Sequence, residues 1–94
     1  VGDLLRRRGN PQRAAATVRA DTRRVLAERL GLGPDPQPAA LVGVVAARTG
    51  RSSDEVGAAL YGDPAAPIAS ADSLVALVRT LDVIRQEVLH VAIR

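Results

Sequence analysis

The fold is decided by the stretch from Ser70 to Val91, which reads SADSLVALVRTLDVIRQEVLHV. Its aliphatic side chains recur at alternating intervals of three and four residues, the spacing of one face of an α-helix. This stripe consists of Leu74, Leu77, Leu81, Ile84, Val88 and Val91, and Val78 widens it. The opposite side carries Asp82, Arg85, Gln86 and Glu87. The pattern predicts a long amphipathic helix from about Ala71 to Val91, with Ser70 or Asp72 as its N-cap.

The first helix of the chain is predicted to begin directly after Asn10. Asparagine is a favoured N-cap, and Pro11 fits the first helical position because the N–H that proline lacks would be unpaired there. Helical spacing of small aliphatic side chains continues to about Leu30, and Gly31 then favours a helix end. The inward side chains are predicted to be Ala14, Val18, Val25, Leu26 and Leu30.

Two shorter helices follow a proline-punctuated loop. The second helix is predicted from Pro38 to about Arg48. The third begins at a capping box, in which Ser52 caps the helix and Glu55 stands three residues later, and it continues to about Tyr61. The inward side chains are predicted to be Leu41, Val44 and Val45 in the second helix and Val56, Ala59 and Leu60 in the third.

These four helices predict an all-α fold, a compact four-helix domain over residues 10–94. It has one long N-terminal helix, two shorter helices in a helix-turn-helix-like corner and one long amphipathic C-terminal helix. A core of small aliphatic residues, with Tyr61 as the single aromatic, suits packed helices better than a sheet. Residues 1–9, VGDLLRRRG, form a separate basic segment in front of the domain.

The positive charge is concentrated at the start of the chain, and all thirteen basic side chains are arginine. Residues 1–30 hold eight arginines against three acids, a net charge of +5; residues 31–94 hold five arginines against seven acids, a net charge of −2. This polarity favours contact with an anionic membrane surface or with a protein partner. The candidate contact residues are Arg6, Arg7, Arg8, Arg13, Arg19, Arg23 and Arg24.

A solvated helix face explains the same arginines equally well, because Asp21 and Glu28 are spaced to pair with Arg24 along one helix. Nucleic acid ranks third, since no aromatic side chains are interleaved with the arginines as they are in proteins that bind single strands. The membrane contact and the solvated face both stay open at this stage.

A DNA-binding helix-turn-helix is a second candidate, because Ala46, Gly50 and Val56 have its spacing. The recognition helix would expose serine, acidic and small residues, and Arg51 is the one cation just before it. Such a helix would be repelled by phosphates and has no arginine, asparagine or glutamine with which to read a base edge. An ordinary corner between two helices is therefore the preferred explanation.

A helix-partner face is a third candidate, formed by Leu74, Leu77, Leu81, Ile84 and Val88. Either a partner helix of another chain or the domain's own helices would cover it. The second alternative is favoured, because helices gain most of their stability from packing within a domain. A monomer or a weak homodimer is therefore expected.

We find no catalytic or metal-binding motif in the sequence, and no cofactor is expected. The chain has no cysteine, no glycine-rich phosphate loop and no nucleophile motif. Its serines stand at predicted helix starts, where capping explains them, and the single histidine, His90, is expected to be exposed near the chain end. These observations favour a domain that is not an enzyme.

Three stretches of the chain carry a family resemblance. They read RAAATVRADTRRVLAERLGL (Arg13–Leu32), VVAARTGRSSDEVGAALYG (Val44–Gly62) and LVALVRTLDVIRQEV (Leu74–Val88), with a proline-rich loop between the first two. In this order they resemble the C-terminal region of an uncharacterised family of bacterial membrane proteins, defined as a domain of unknown function. The resemblance extends from about Leu5 to Val88. Members of that family are commonly encoded beside MoxR-type AAA+ ATPases.

The resemblance implies a transmembrane helix just before Val1 and a location on the cytoplasmic side of the bacterial inner membrane, as part of a longer chain. A first residue other than methionine agrees with an excised or processed fragment. The resemblance also implies a role near a MoxR-type ATPase that remodels or assembles other proteins. We therefore expect a cytoplasmic protein-interaction domain, with a DNA-binding domain as the alternative.

Overall fold

A computed structural model of the chain describes residues 10–93, with side chains through residue 90. It contains four helices, α1 (Pro11–Leu30), α2 (Pro38–Thr49), α3 (Ser53–Tyr61) and α4 (Ala71–Ile93), and no strand occurs within this range. The predicted all-α fold of four helices is confirmed, and each predicted helix end lies within two residues of the observed one.

Side-chain caps fix where three of these helices begin. The Oδ1 atom of Asn10 accepts hydrogen bonds from the amides of Gln12 and Arg13, at 3.0 and 3.3 Å. Ser52 Oγ accepts from the amide of Glu55 at 3.0 Å, and Ser70 Oγ accepts from an amide in the first turn of α4 at 3.1 Å. These bonds satisfy backbone donors that a helix start leaves unpaired, and they confirm the predicted caps.

The core forms where α4 packs against the other three helices, most extensively against α1. Small aliphatic side chains fill it, as the composition predicts. Its buried members are Ala15, Leu26, Leu41, Val45, Val56, Ala59, Leu60, Leu77, Leu81, Ile84 and Val88. Leu77, Leu81, Ile84 and Val88 of the stripe that predicts α4 thus lie in this core, and Leu74 packs against its edge. The predicted inward side chain of Val91 lies outside the described residues.

The inward face of α1 differs from the predicted one. Its buried side chains are Ala15, Arg19, Thr22, Leu26 and Ala27. The predicted inward residues Ala14, Val18, Val25 and Leu30 are only half-buried. The intervals of four, three and four residues from Ala15 to Leu26 place Arg19 and Thr22 on the inner side of the helix. The prediction was right for Leu26 but missed Arg19 and Thr22, because it placed the arginines of this helix mainly away from the apolar side.

Two valines are also less buried than predicted. Val78, predicted to widen the α4 stripe, is 41% exposed. Val44, predicted to face inward from α2, is half-buried. Neither residue belongs to the core or is packed against it.

Replacing Ile84 with alanine is expected to lower the free energy of unfolding by about 2–5 kcal/mol, because it opens a cavity in the packed centre of the core. Ile84 is 0% exposed, whereas its neighbour Val83 on the same helix is 45% exposed. Val83→Ala is the matched control and should change stability by no more than about 0.5 kcal/mol. Urea denaturation followed by circular dichroism measures both, and equal effects would contradict this packing.

Candidate interaction site around Tyr61

The predicted basic contact residues fall into three groups: three lie outside the described residues, two are exposed, and two donate hydrogen bonds to the end of α3. Arg6, Arg7 and Arg8 lie outside the described residues. Arg13 and Arg24 are exposed.

Arg24 confirms the pairing expected of a solvated face. Its Nη2 lies 2.7 Å from Asp21 Oδ1 and its Nη1 lies 3.4 Å from Glu28 Oε2. The hydrogen bond to Asp21, more than the charge of Glu28, raises the pKa of Arg24 above its ordinary value.

Arg19 and Arg23 point into the domain and bind the end of α3. Arg19 Nε donates to the carbonyl oxygen of Ala59 at 3.0 Å, and Arg23 Nη1 donates to the carbonyl oxygen of Leu60 at 2.6 Å. Carbonyls in the last turn of a helix have no partner within that helix and need donors from elsewhere. These two arginines, predicted to contact a membrane or a partner, therefore serve the fold.

Arg19 is the more deeply placed of the pair, with 7% of its surface exposed. Burial, followed by the nearby positive charge of Arg23, lowers the pKa of Arg19 from its ordinary value. The chain passes close to its guanidinium at Gly62, where an added Cβ atom would lie 3.1 Å from Arg19 Nη1. Gly62 also has a φ of 98°, so glycine is favoured here on both counts.

Tyr61, the last residue of α3, stands at the surface beside this arrangement. The guanidinium carbon of Arg23 lies 4.7 Å from the centre of the Tyr61 ring, in a cation–π contact, and the tyrosine is 38% exposed. We call these two residues the Tyr61–Arg23 pair. The sequence predicts Tyr61 as the end of the third helix but not as part of an interaction site, although the single aromatic residue of the chain was a signal for one.

Two clefts flank the Tyr61–Arg23 pair. The first, of about 290 Å³, lies between α1 and the loop before α2. The second, of about 390 Å³, lies between the start of α1 and the loop after α3; we call it the Arg19 cleft. Proline residues wall both, namely Pro34, Pro36 and Pro38 in the first and Pro64 and Pro67 in the Arg19 cleft. Five of the six prolines in the chain thus surround one tyrosine, which makes this part of the surface stiff.

The corner between α2 and α3 has the backbone expected of the helix-turn-helix spacing. Gly50 adopts a φ of 76° and its amide donates to the carbonyl oxygen of Ala46 at 2.9 Å. Val56 is fully buried. The three residues are therefore placed as a helix-turn-helix requires, but an ordinary corner between helices has the same geometry.

The cation beside this corner, Arg51, is held by two acids. Its Nε lies 3.1 Å from Glu87 Oε1 on α4, and its Nη1 pairs with Glu55 Oε2. These hydrogen bonds, with Glu87 first, raise the pKa of Arg51. Arg51 thereby joins α3 to α4 and adds little positive charge to the surface of α3.

The helix-partner face lies in the domain's own core. Leu77, Leu81, Ile84 and Val88 are at most 8% exposed, and the half-buried Leu74 packs against them. The dimerising surface considered from the sequence is thus covered by the other three helices. An open groove of about 470 Å³ lies between the end of α2 and α4, and the exposed His90 is part of its lining. Its one carboxylate, Glu87, is already paired with Arg51.

Within residues 10–93, no three histidine, aspartate or glutamate side chains come together in a way that would hold a metal ion. None of the helices in the same range has the length and hydropathy needed to cross a membrane. Comparison with known proteins adds no relative, since no family model, curated protein or solved structure matches this chain.

Replacing Arg23 with alanine is expected to lower the free energy of unfolding by about 1.5–3 kcal/mol, the usual contribution of a hydrogen bond to a charged donor. The loss follows from the unpaired carbonyl of Leu60 and from the lost contact with Tyr61. Arg24→Ala, the neighbouring change of equal size and charge, should leave stability almost unaltered because its ion pairs are solvent-exposed. Thermal and urea unfolding compare the two variants, and equal stabilities would exclude a structural role for Arg23.

Proposed function

We propose that this chain is a non-enzymatic protein-interaction domain and that it forms the cytoplasmic part of a larger bacterial membrane protein. The observation that supports a protein-interaction domain is the Tyr61–Arg23 pair with its two proline-walled clefts. Tyrosine and arginine are enriched in protein interfaces and at their energetic centres. Because Arg23 is already fixed by Leu60 and by the ring, little side-chain entropy remains to be lost when a partner binds.

The second half of the proposal rests on charge and on the family resemblance. Eight of the thirteen arginines fall in residues 1–30, and basic residues on the cytoplasmic side of a membrane are attracted to anionic lipid. The fold uses Arg19 and Arg23 internally, so the membrane-facing charge is assigned to Arg6, Arg7, Arg8 and Arg13. A MoxR-type AAA+ ATPase is the partner that the resemblance implies.

The full-length protein, expressed in its native bacterium with a tag at its C-terminus, tests both halves. We expect it in the membrane fraction, with the tag protected from protease in spheroplasts and cleaved in inside-out vesicles. Detergent-solubilised protein should then retain the neighbouring ATPase, and Tyr61→Ala should weaken retention about tenfold or more, as expected for a residue at an interface centre. Val75→Ala, an exposed change on α4, is the matched control.

A full-length protein recovered as soluble would overturn the membrane assignment. Retention of the ATPase that is unchanged by Tyr61→Ala would remove the Tyr61–Arg23 pair as the interaction surface.

DNA binding is the second candidate, and the corner formed by Ala46, Gly50 and Val56 is the observation that favours it. The exposed start of α3 carries Asp54 and Glu55, and Arg51 is paired with acids. We therefore expect no binding to duplex DNA in a salt titration that starts near about 50 mM, where phosphate contacts are strongest. Measurable binding that weakens steeply with salt would reinstate this function.

A further inference from the structure

Arg19 has hydrogen-bond donors that the fold does not use. A guanidinium carries five N–H donors, and within residues 10–93 only the Nε of Arg19 donates to a protein acceptor, the carbonyl oxygen of Ala59. No fully enclosed side-chain nitrogen or oxygen in this range lacks a partner, so Nη1 and Nη2 must reach the small accessible part of the residue. Arg19 lines the Arg19 cleft, and its free edge therefore faces that cleft.

Among the described residues this guanidinium also has no counterion. No carboxylate of the described residues lies within 4 Å of Arg19, whereas Arg24, Arg51 and Arg85 each have at least one at that distance. After burial, the positive charge of Arg23 is the second cause that lowers the pKa of Arg19. A buried charge without a counterion is unfavourable, and an anion in the cleft would relieve this cost.

We propose that the Arg19 cleft binds the carboxylate of an aspartate or glutamate side chain from a protein partner, held by Nη1 and Nη2 of Arg19. The planar edge of an arginine matches a carboxylate with two parallel hydrogen bonds. The proposal rests on the proposed function, because it assigns the carboxylate to a protein partner.

The rest of the cleft fits one acidic side chain. Pro64, Ala66 and Pro67 form apolar walls against which the methylene groups of such a side chain can pack. A volume of about 390 Å³ accommodates a side chain but not a folded element. Asp63 adds one negative charge to the lining, which disfavours a phosphate dianion more than a singly charged carboxylate.

Nitrogen-15 NMR of the whole chain tests this assignment at constant ionic strength. The probes are the blocked tripeptide Ac-Ala-Glu-Ala-NH2, its glutamine counterpart, sodium acetate and inorganic phosphate. We expect the glutamate peptide to shift the Nε–H signal of Arg19 and the amide of Gly62 saturably, with a dissociation constant on the order of millimolar. The glutamine peptide should not shift them, and acetate should act at the same signals but more weakly.

Two aspartate variants test the site without disturbing Arg19. Asp63→Asn removes the competing charge but keeps the Oδ1 atom that accepts from the amide of Ala65, so the loop should persist. It should tighten binding of the glutamate peptide about two- to fivefold, the effect of removing one screened like charge nearby. Asp54→Asn makes the same change at the opposite end of α3 and should leave the affinity unaltered.

The proposal is overturned if neither the glutamate peptide nor acetate shifts these signals saturably. It is also overturned if the glutamine peptide shifts them as much as the glutamate peptide does. Tighter binding of phosphate than of the glutamate peptide overturns the carboxylate assignment, and stronger binding of acetate overturns the assignment to a partner side chain. An unchanged affinity in Asp63→Asn removes the Arg19 cleft as the location. These readouts do not involve the ATPase or the membrane, so failure here is distinguishable from failure of the proposed function.

Discussion

The end of α3 sets the constraint on which the rest of this structure depends. Its last turn packs against α1, where water cannot hydrogen-bond to both the carbonyl of Ala59 and that of Leu60. A buried carbonyl without a hydrogen bond costs about 1–3 kcal/mol. Arg19 and Arg23 supply the donors. A nine-residue helix is marginal by itself, so these contacts also hold α3 in place. The positions of Tyr61 and of both clefts follow from them.

This use of arginine changes the meaning of the charge distribution. The excess of +5 over residues 1–30 suggests a uniformly basic surface. In the described part of α1, however, Arg19 and Arg23 are turned inward and Arg24 is neutralised by Asp21 and Glu28. The same residue type thus performs two tasks in one segment, since a guanidinium can cap a helix end as readily as it can meet an anionic surface. The candidate protein-binding surface is therefore defined by where the hydrogen-bonded arginines Arg19 and Arg23 lie and not by the number of arginines in the segment.

Local patterns predicted the helices well because their determinants are local. Asn10 and Ser52 cap the residues two or three positions ahead of them, and the α4 stripe needs only a constant period. The sequence analysis named Arg19 as a contact residue but missed its inward position, because its partner Ala59 lies forty residues away and a rule that places charge outside hides such a pairing. The intervals that link Ala15, Arg19 and Leu26 were visible in the sequence, but the surroundings of Tyr61 arise only when separate loops converge.

Structural and binding roles meet in the single side chain of Arg19. Its Nε edge belongs to the fold and its Nη edge faces the cleft, a division that the flat, five-donor guanidinium allows and a lysine ammonium does not. A ligand that binds only the folded state stabilises it by an amount that grows with the logarithm of the ratio of its concentration to its dissociation constant. An acidic partner at Arg19 would therefore also strengthen the attachment of α3 to α1, because it would place a negative charge beside the buried guanidinium. Partner binding and helix docking are then coupled through one residue, and each favours the other.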